Sequence, residues 1–290
     1  MTDAARDELL ATCWTHAGYA GPGWADETSP RSMIDRVEAI AQTGWSGIGI
    51  VVADLVAVRQ TMGFAELRRL IESNGLAYTE IEILGDWWAT GEPRRVSDGY
   101  RELFVEAAAE LGARHLKVGG SMTDEPEHQL LVDEFGALCD DFAAVGTKVA
   151  LEPFPFSNFT TVPIGARFID EVNNANGGLC VDAWHIFRTE TTLDEVAAVL
   201  RPEIVFAVEL DDARGPIVPR SELFADTIDN RLLPGEGEWD LPAFVRVMRQ
   251  VGFTGPWGVE IISHEHRARE LVDGLEVARD AAYRVLEAGR

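Results

Sequence analysis

Short apolar runs alternate with longer amphipathic segments along most of the chain, and this alternation restricts the fold more than any other feature. The short runs are apolar without interruption, which is typical of strands buried on both faces of a sheet. The longer segments carry apolar residues at helical spacing, and several are followed by a glycine that ends the helix. The predicted strands cover 9–14, 47–52, 77–84, 115–118, 148–152, 178–182, 204–209 and 257–260. The predicted helices cover 31–43, 64–73, 98–111, 127–145, 165–174, 192–200, 241–251 and 271–288.

Strands that alternate with helices indicate a parallel sheet with helical crossovers. Eight such units in 290 residues favour a closed (β/α)8 barrel, the TIM-barrel architecture. An open doubly wound sheet is the alternative, but no Gly-x-Gly-x-x-Gly motif or P-loop follows any predicted strand. No linker or low-complexity segment interrupts the pattern, so the sequence predicts a single domain over 1–290.

Composition restricts the partners and the location of the protein. The chain has 49 acidic and 25 basic residues, a net charge of −24 that argues against nucleic acid or an anionic membrane as partner. No apolar run approaches the roughly 18 residues that a transmembrane helix needs, and no signal peptide is visible. Cys13, Cys139 and Cys180 show no paired spacing, which favours reduced thiols in a cytoplasmic protein.

An acidic residue ends each of the last four predicted strands. A carboxylate at the end of a buried strand is costly unless a cation or hydrogen bonds compensate it. Because the carboxyl ends of barrel strands meet at one face, the four side chains are predicted to converge there. An all-carboxylate site suits Mg²⁺ or Mn²⁺ better than Zn²⁺. For any one of these acids, capping of the next helix or pairing with an arginine is the alternative. The four residues are Glu152, Asp182, Glu209 and Glu260.

The order of these motifs resembles the xylose-isomerase-like barrels of the sugar phosphate isomerase/epimerase family. Its members include ketose 3-epimerases, inosose dehydratases and dehydroshikimate dehydratases. The matching motifs are Leu-Glu152-Pro, Asp182-Ala-Trp-His185, Glu209-Leu-Asp-Asp, the Gly-Glu-Gly loop at 235–237 and Val-Glu260. Many relatives have His or Gln at the position of Glu209. A Glu there either makes the site more anionic or points away and leaves three ligands.

The resemblance implies a divalent metal, Mn²⁺ or Mg²⁺ with Co²⁺ or Zn²⁺ as alternatives, held by Glu152, Asp182, Glu209 and Glu260. It implies a sugar or polyol ketone as substrate, enolised with Glu152 and Glu260 as acid and base. Isomerisation or epimerisation is the first expectation, and a lyase that expels a β-hydroxyl from the same enediolate is the alternative. A homo-oligomer is possible. A zinc-dependent endonuclease is disfavoured by the acidic charge and the scattered histidines, and a binding barrel without chemistry stays open.

Further residues are candidates for binding the substrate, and each has a structural alternative. His185 is expected to donate to substrate oxygens or to support a ligand. Lys117 could stabilise an oxyanion or form a buried ion pair. Glu82 could bind a hydroxyl or support Lys117. The remaining candidates are His16, in the loop after the first strand, and Arg214, in the loop after the seventh.

Aromatic residues are concentrated in the loops predicted to form the mouth of the barrel. Such rings can pack on the apolar faces of sugars and exclude water, and ordinary loop packing is the alternative. They are Trp14, Tyr19, Trp24, Trp87, Trp88, Phe154, Phe156 and Phe159.

Overall fold

A computed structural model describes residues 6–123, 125–215 and 218–290. Its eight strands are parallel and follow one another around the sheet in chain order, and β8 pairs with β1 to close the barrel. The predicted (β/α)8 barrel is therefore confirmed. The strands are β1 Leu9–Ala11, β2 Gly47–Val51, β3 Tyr78–Leu84, β4 His115–Val118, β5 Lys148–Leu151, β6 Gly177–Asp182, β7 Val205–Leu210 and β8 Trp257–Val259.

Helices surround the sheet, and apolar side chains fill the layer between the two. None of the helices in the described ranges is long and apolar enough to cross a lipid bilayer. They are α1 Cys13–His16, α2 Met33–Gln42, α3 Val52–Gln60, α4 Phe64–Ser73, α5 Gly91–Leu111, α6 His128–Ala143, α7 Val162–Val172, α8 Ala183–Arg188, α9 Leu193–Val199, α10 Leu223–Asp229, α11 Leu241–Val251, α12 His264–Arg267 and α13 Leu271–Ala288.

The first strand departs from the prediction, because it ends at Ala11 instead of residue 14. The hydroxyls of Thr12 and Thr15 both donate to the carbonyl of Val259, at 3.0 and 2.7 Å. They join the backbone N–H of Thr12, which donates to the same carbonyl, and the chain turns into α1 at Cys13.

The inside of the barrel is unusually polar. Glu80 and Glu82 of β3, His115 and Lys117 of β4 and Glu209 of β7 are all at least 97% buried. Barrel interiors are ordinarily filled by branched apolar side chains. The buried charges must therefore be paired with one another inside the barrel. Of these residues, Lys117 and Glu209 lie next to the carboxyl ends of their strands.

Candidate metal centre

Four carboxylates meet at the carboxyl ends of β5, β6, β7 and β8. One oxygen from each lies within 4.8 Å of one oxygen from every other, and all four residues are buried. We call this set, Glu152, Asp182, Glu209 and Glu260, the carboxylate ring. The barrel positions it through its backbone, since Glu152 N–H donates to the carbonyl of Val118 and Glu260 N–H to that of Leu210.

Asp182 is fixed by the helix that follows it. Its Oδ1 accepts a 2.6 Å hydrogen bond from the backbone N–H of Trp184 and so caps α8. Its Oδ2 faces the centre, 3.6 Å from Nε2 of His185. The same His185 nitrogen lies 3.2 Å from Oε1 of Glu152. The Asp-x-x-His motif thus places the histidine against two members of the ring.

Glu209 points into the barrel. It pairs in register with Asp182 on one side and Gly258 on the other. A Cβ at Gly258 would lie 2.9 Å from Cγ of Glu209, so glycine leaves the room that the glutamate occupies. Cys180 Sγ lies 3.4 Å from Oε2 of Glu209.

Lys117 lies among three carboxylates inside the barrel. Its Nζ is 2.8 Å from Oε1 of Glu209 and 3.1 Å from Oε1 of Glu260, and it also pairs with Glu82. The side chain is 1% exposed. Of the two sequence-based possibilities for Glu82, the structure shows the contact with Lys117.

Arg231 supplies a second buried cation that the sequence analysis missed. Its Nη1 lies 2.7 Å from Oδ2 of Asp182 and 2.9 Å from Oε2 of Glu260, and it also pairs with Asp211. The loop that carries it is bound to the barrel by bridges from Asp212 to Leu232 and from residue 230 to residue 263. Nothing in the local sequence signals this position, because it depends on how the long loop after β7 folds back.

Burial and the neighbouring charges divide the acids into two groups. Burial raises the pKa of Glu209 and Asp211 well above their ordinary values, and it raises that of Glu260 despite Lys117 and Arg231. Burial likewise raises the pKa of Glu82 to about 7. Glu152 behaves differently, because Lys117 and the hydrogen bond from His185 outweigh burial and lower its pKa.

Asp182 belongs with Glu152. Burial would raise its pKa, but the charge of Arg231 and the proximity of His185 together lower it. Burial would lower the pKa of Lys117 and of Arg231, but the surrounding carboxylates outweigh it and raise both well above their ordinary values, so the two cations keep their protons. Glu152 and Asp182 are therefore the ring members that are most readily ionised.

The donor set fits a divalent cation. The ring, Glu82 and Asp211 offer six buried carboxylates against the two fixed cations Lys117 and Arg231. Carboxylates therefore outnumber the fixed cations where four oxygens converge, and hard oxygen donors suit Mg²⁺ or Mn²⁺. Nδ1 of His185 and Oδ1 of Asp211 are buried without a hydrogen-bond partner among the described residues, which marks the cluster as incompletely satisfied.

The other candidate residues lie in different surroundings. His16 is fully buried, and its Nδ1 accepts from Arg36 while its Nε2 lies 3.0 Å from the carbonyl of Gly49. Burial and the charge of Arg36 lower its pKa well below the ordinary value. Arg214 is exposed and lines a cavity of about 620 Å³ together with Arg231 and His264. The substrate contacts of His16 and Arg214 stay predictions.

A family model for the xylose isomerase-like TIM barrel matches residues 37–281. The chain belongs to this family. The resemblance inferred from the strand-ending acids is thus confirmed, and the protein can be described as a xylose isomerase-like barrel.

Several known proteins are similar to this xylose isomerase-like barrel. A 3-dehydroshikimate dehydratase of Pseudomonas aeruginosa is 25% identical over 252 residues, which cover 84% of this chain and 39% of that protein. An inosose isomerase of Bacillus subtilis is 25% identical over 150 residues, 51% of this chain and 52% of the relative. The chain thus spans about two-fifths to one-half of the lengths of these relatives.

Among solved structures, the IOLI protein with a bound zinc atom superposes with a TM-score of 0.81 at 18% identity. The match covers 97% of this chain and 98% of that one. At this identity the likeness shows the fold of the xylose isomerase-like barrel.

Proposed function

We propose that this protein is a divalent-metal-dependent isomerase or epimerase of a ketose or polyol ketone. The observation that carries the proposal is the carboxylate ring, whose four members each bring an oxygen within 4.8 Å of the others. Glu152, Asp182, Glu209 and Glu260 would hold the ion, Mn²⁺ or Mg²⁺ by their chemistry. A bound divalent cation supplies Lewis-acid polarisation of the ketone oxygen and so makes the neighbouring C–H more acidic.

Glu152 and Glu260 are proposed to move the protons. Glu152 has His185 as its hydrogen-bond partner, whereas both oxygens of Glu260 are held by cations, Oε1 by Lys117 and Oε2 by Arg231. We assign Glu152 as the base that removes the proton from the carbon next to the ketone. Glu260 then returns a proton to the opposite face, which inverts that carbon, or to the neighbouring oxygen-bearing carbon, which gives the isomer.

The surrounding residues orient these two carboxylates. Lys117 and Arg231 contact the two oxygens of Glu260 from different sides, which fixes its carboxylate although a glutamate side chain is flexible. His185 steers Glu152 through Nε2 and leaves Nδ1 for a substrate hydroxyl. Arg231 also lines the cavity that Arg214 shares, which supports Arg214 as a substrate contact.

A lyase is the second candidate, favoured by the similarity to a 3-dehydroshikimate dehydratase over 84% of the chain. The same base would remove the same proton. The acid would then protonate the β-hydroxyl, which leaves as water while a carbon–carbon double bond forms. The first step is shared, so the two reactions differ in where the second proton goes.

Solvent deuterium exchange tests the proposal. The Mn²⁺-loaded protein is incubated in D₂O with a panel of ketoses, inososes and 3-dehydroshikimate, followed by NMR and mass spectrometry. Deuterium next to the ketone together with an epimeric or isomeric product supports the isomerase. Loss of water without an epimer supports the lyase, and neither exchange nor loss of water with any member of the panel contradicts both.

A further inference from the structure

A line of aromatic side chains runs from the carboxylate ring to the outer surface. We call Phe154, Phe156, Phe224, Trp24 and Tyr19 the aromatic wall. At its inner end the ring of His185 lies 5.7 Å from Phe154 and 6.3 Å from Phe156, between centroids. Phe156 in turn lies 5.8 Å from Phe224, and Tyr19 lies 5.2 Å from Trp24. These spacings are those of aromatic contact.

Glycine joins the two halves of the wall. Gly23 has φ +78°, and a Cβ there would lie 3.1 Å from the Phe224 ring. Its backbone therefore packs on that ring, next to Trp24. Loops that follow β1, β5 and β7 thus contribute to one continuous surface.

The outer rings are held in place although they are exposed. The guanidinium carbon of Arg267 lies over the Trp24 ring, 5.3 Å from the ring centroid, and the Arg267 side chain is 3% exposed. Arg267 is itself fixed by the carbonyl of Ile228 at 2.8 Å and by Asp229. Nevertheless Phe224 is 42% and Tyr19 63% exposed. A positioned aromatic patch in contact with water is the usual mark of a binding surface.

The chemistry of the wall indicates what covers it. The path from His185 to Phe156 and on to Phe224 covers centroid distances of 6.3 and 5.8 Å in succession. This path is longer than a single sugar ring. Phe154, Phe156 and Phe224 offer no hydrogen-bonding group, so a second sugar could lay one face on these rings but its hydroxyls would gain no hydrogen bond from them. A planar apolar group loses nothing and gains ring contacts. The net charge of −24 disfavours an anionic lipid surface.

We propose that the aromatic wall is a subsite for an aryl substituent of the substrate. The substrate would then be a polyol ketone that carries an aromatic group, with the ketone at the carboxylate ring and the aryl ring packed on the surface that Phe156 and Phe224 form together. This inference rests on the proposed function for the position of the ketone, and it adds the chemical class of the rest of the molecule.

A matched pair of probes tests the subsite without relying on turnover. Phenyl and methyl β-D-glucopyranoside are titrated into the Mn²⁺-loaded protein and followed by ligand-observed NMR. The phenyl compound is expected to bind about three- to tenfold more tightly, the gain from one or two aromatic contacts. Phe224→Ala should remove most of that gain and leave the methyl compound unchanged. Tyr100→Ala, which removes a similarly exposed ring from α5, should keep the gain.

Equal binding of the two glucosides, or binding of neither at the highest soluble concentration, would overturn the subsite. So would a loss of the phenyl preference in Tyr100→Ala. Sedimentation equilibrium covers the remaining occupant, a second copy of the chain: a dimer that Phe224→Ala converts to monomer would reassign the wall and refute the proposal. A phenyl preference without deuterium exchange on any ketone would refute the proposed function and leave the subsite standing.

Discussion

Replacing Lys117 with methionine tests how the buried charges around the carboxylate ring are balanced. Its Nζ contacts Glu82, lies 2.8 Å from Glu209 and 3.1 Å from Glu260, and all four side chains are at most 5% exposed. Methionine keeps the unbranched apolar stem and removes the charge. Taking one partner from a buried ion pair costs about 3–5 kcal/mol, because the other charge is left uncompensated.

The loss has an upper limit, since an uncompensated carboxylate can bind a proton instead. With an ordinary glutamate pKa of 4.5, holding one glutamate protonated costs about 5 kcal/mol at pH 8 and about 0.7 kcal/mol at pH 5. Lys117 lowers the pKa of Glu82, Glu209 and Glu260, so removing it raises the folded-state pKa of all three further above their unfolded values. A raised carboxylate pKa leaves stability intact at low pH and reduces it as the pH rises above the unfolded value. We therefore expect Lys117→Met to lose about 3–5 kcal/mol at pH 8 and below about 1.5 kcal/mol at pH 5.

Urea unfolding followed by circular dichroism, in EDTA at both pH values, measures this difference. Lys148→Met is the matched control. Lys148 begins β5 and donates to the carbonyl of Ala175, so this contact involves no buried carboxylate that would lose its partner. It should cost less than about 1 kcal/mol at either pH. A Lys117→Met protein within 1 kcal/mol of wild type at pH 8, or with the same loss at both pH values, would refute the reasoning.

Two further predictions concern the carboxylates directly. Glu152→Gln and Glu260→Gln should each slow deuterium exchange into an accepted ketone by about 10²–10⁴-fold, the usual contribution of a positioned acid or base. The control Glu110→Gln, which changes an exposed acid, should not slow it. The exchange rate is measured by NMR, and a rate near wild type in either ring variant would remove that residue from catalysis. Gly258→Ala should cost about 1–3 kcal/mol, because its Cβ would lie 2.9 Å from Cγ of Glu209, while Gly99→Ala, with open space on α5, should stabilise by about 0.5–1 kcal/mol. Thermal or urea unfolding compares the two, and an unchanged Gly258→Ala protein would show that Glu209 is not confined there.

The barrel could be predicted from sequence because its strands are buried on both faces and its helices are amphipathic, so both leave a periodic signal. The helix Leu271–Ala288 was predicted with the bounds that the structure shows. Short helices such as Ala183–Arg188 were missed, because six residues are too few to show a helical period. The start of α5 at Gly91 was missed as well, since Pro93 in its first turn reads as a loop.

The convergence of the four acids was predictable once the strands were placed, because parallel barrel strands bring their carboxyl ends to one face. Their compensation was not. Arg231 reaches Asp182 and Glu260 from 49 and 29 positions along the chain, through a loop whose path depends on tertiary bridges. The partners of Lys117 likewise lie on β3, on β7 and directly after β8. Pairings of this kind leave no periodic pattern in the sequence.

Equilibrium dialysis against Mn²⁺ tests the central claim most directly. After removal of metal with EDTA, wild-type protein is expected to bind about one Mn²⁺ per chain, detected by electron paramagnetic resonance and elemental analysis. Glu152→Gln/Asp182→Asn should abolish that binding, whereas Glu110→Gln/Glu287→Gln, which neutralises two exposed acids, should retain it. A wild-type protein that retains no Mn²⁺, or a ring double variant that still binds one per chain, would contradict the account.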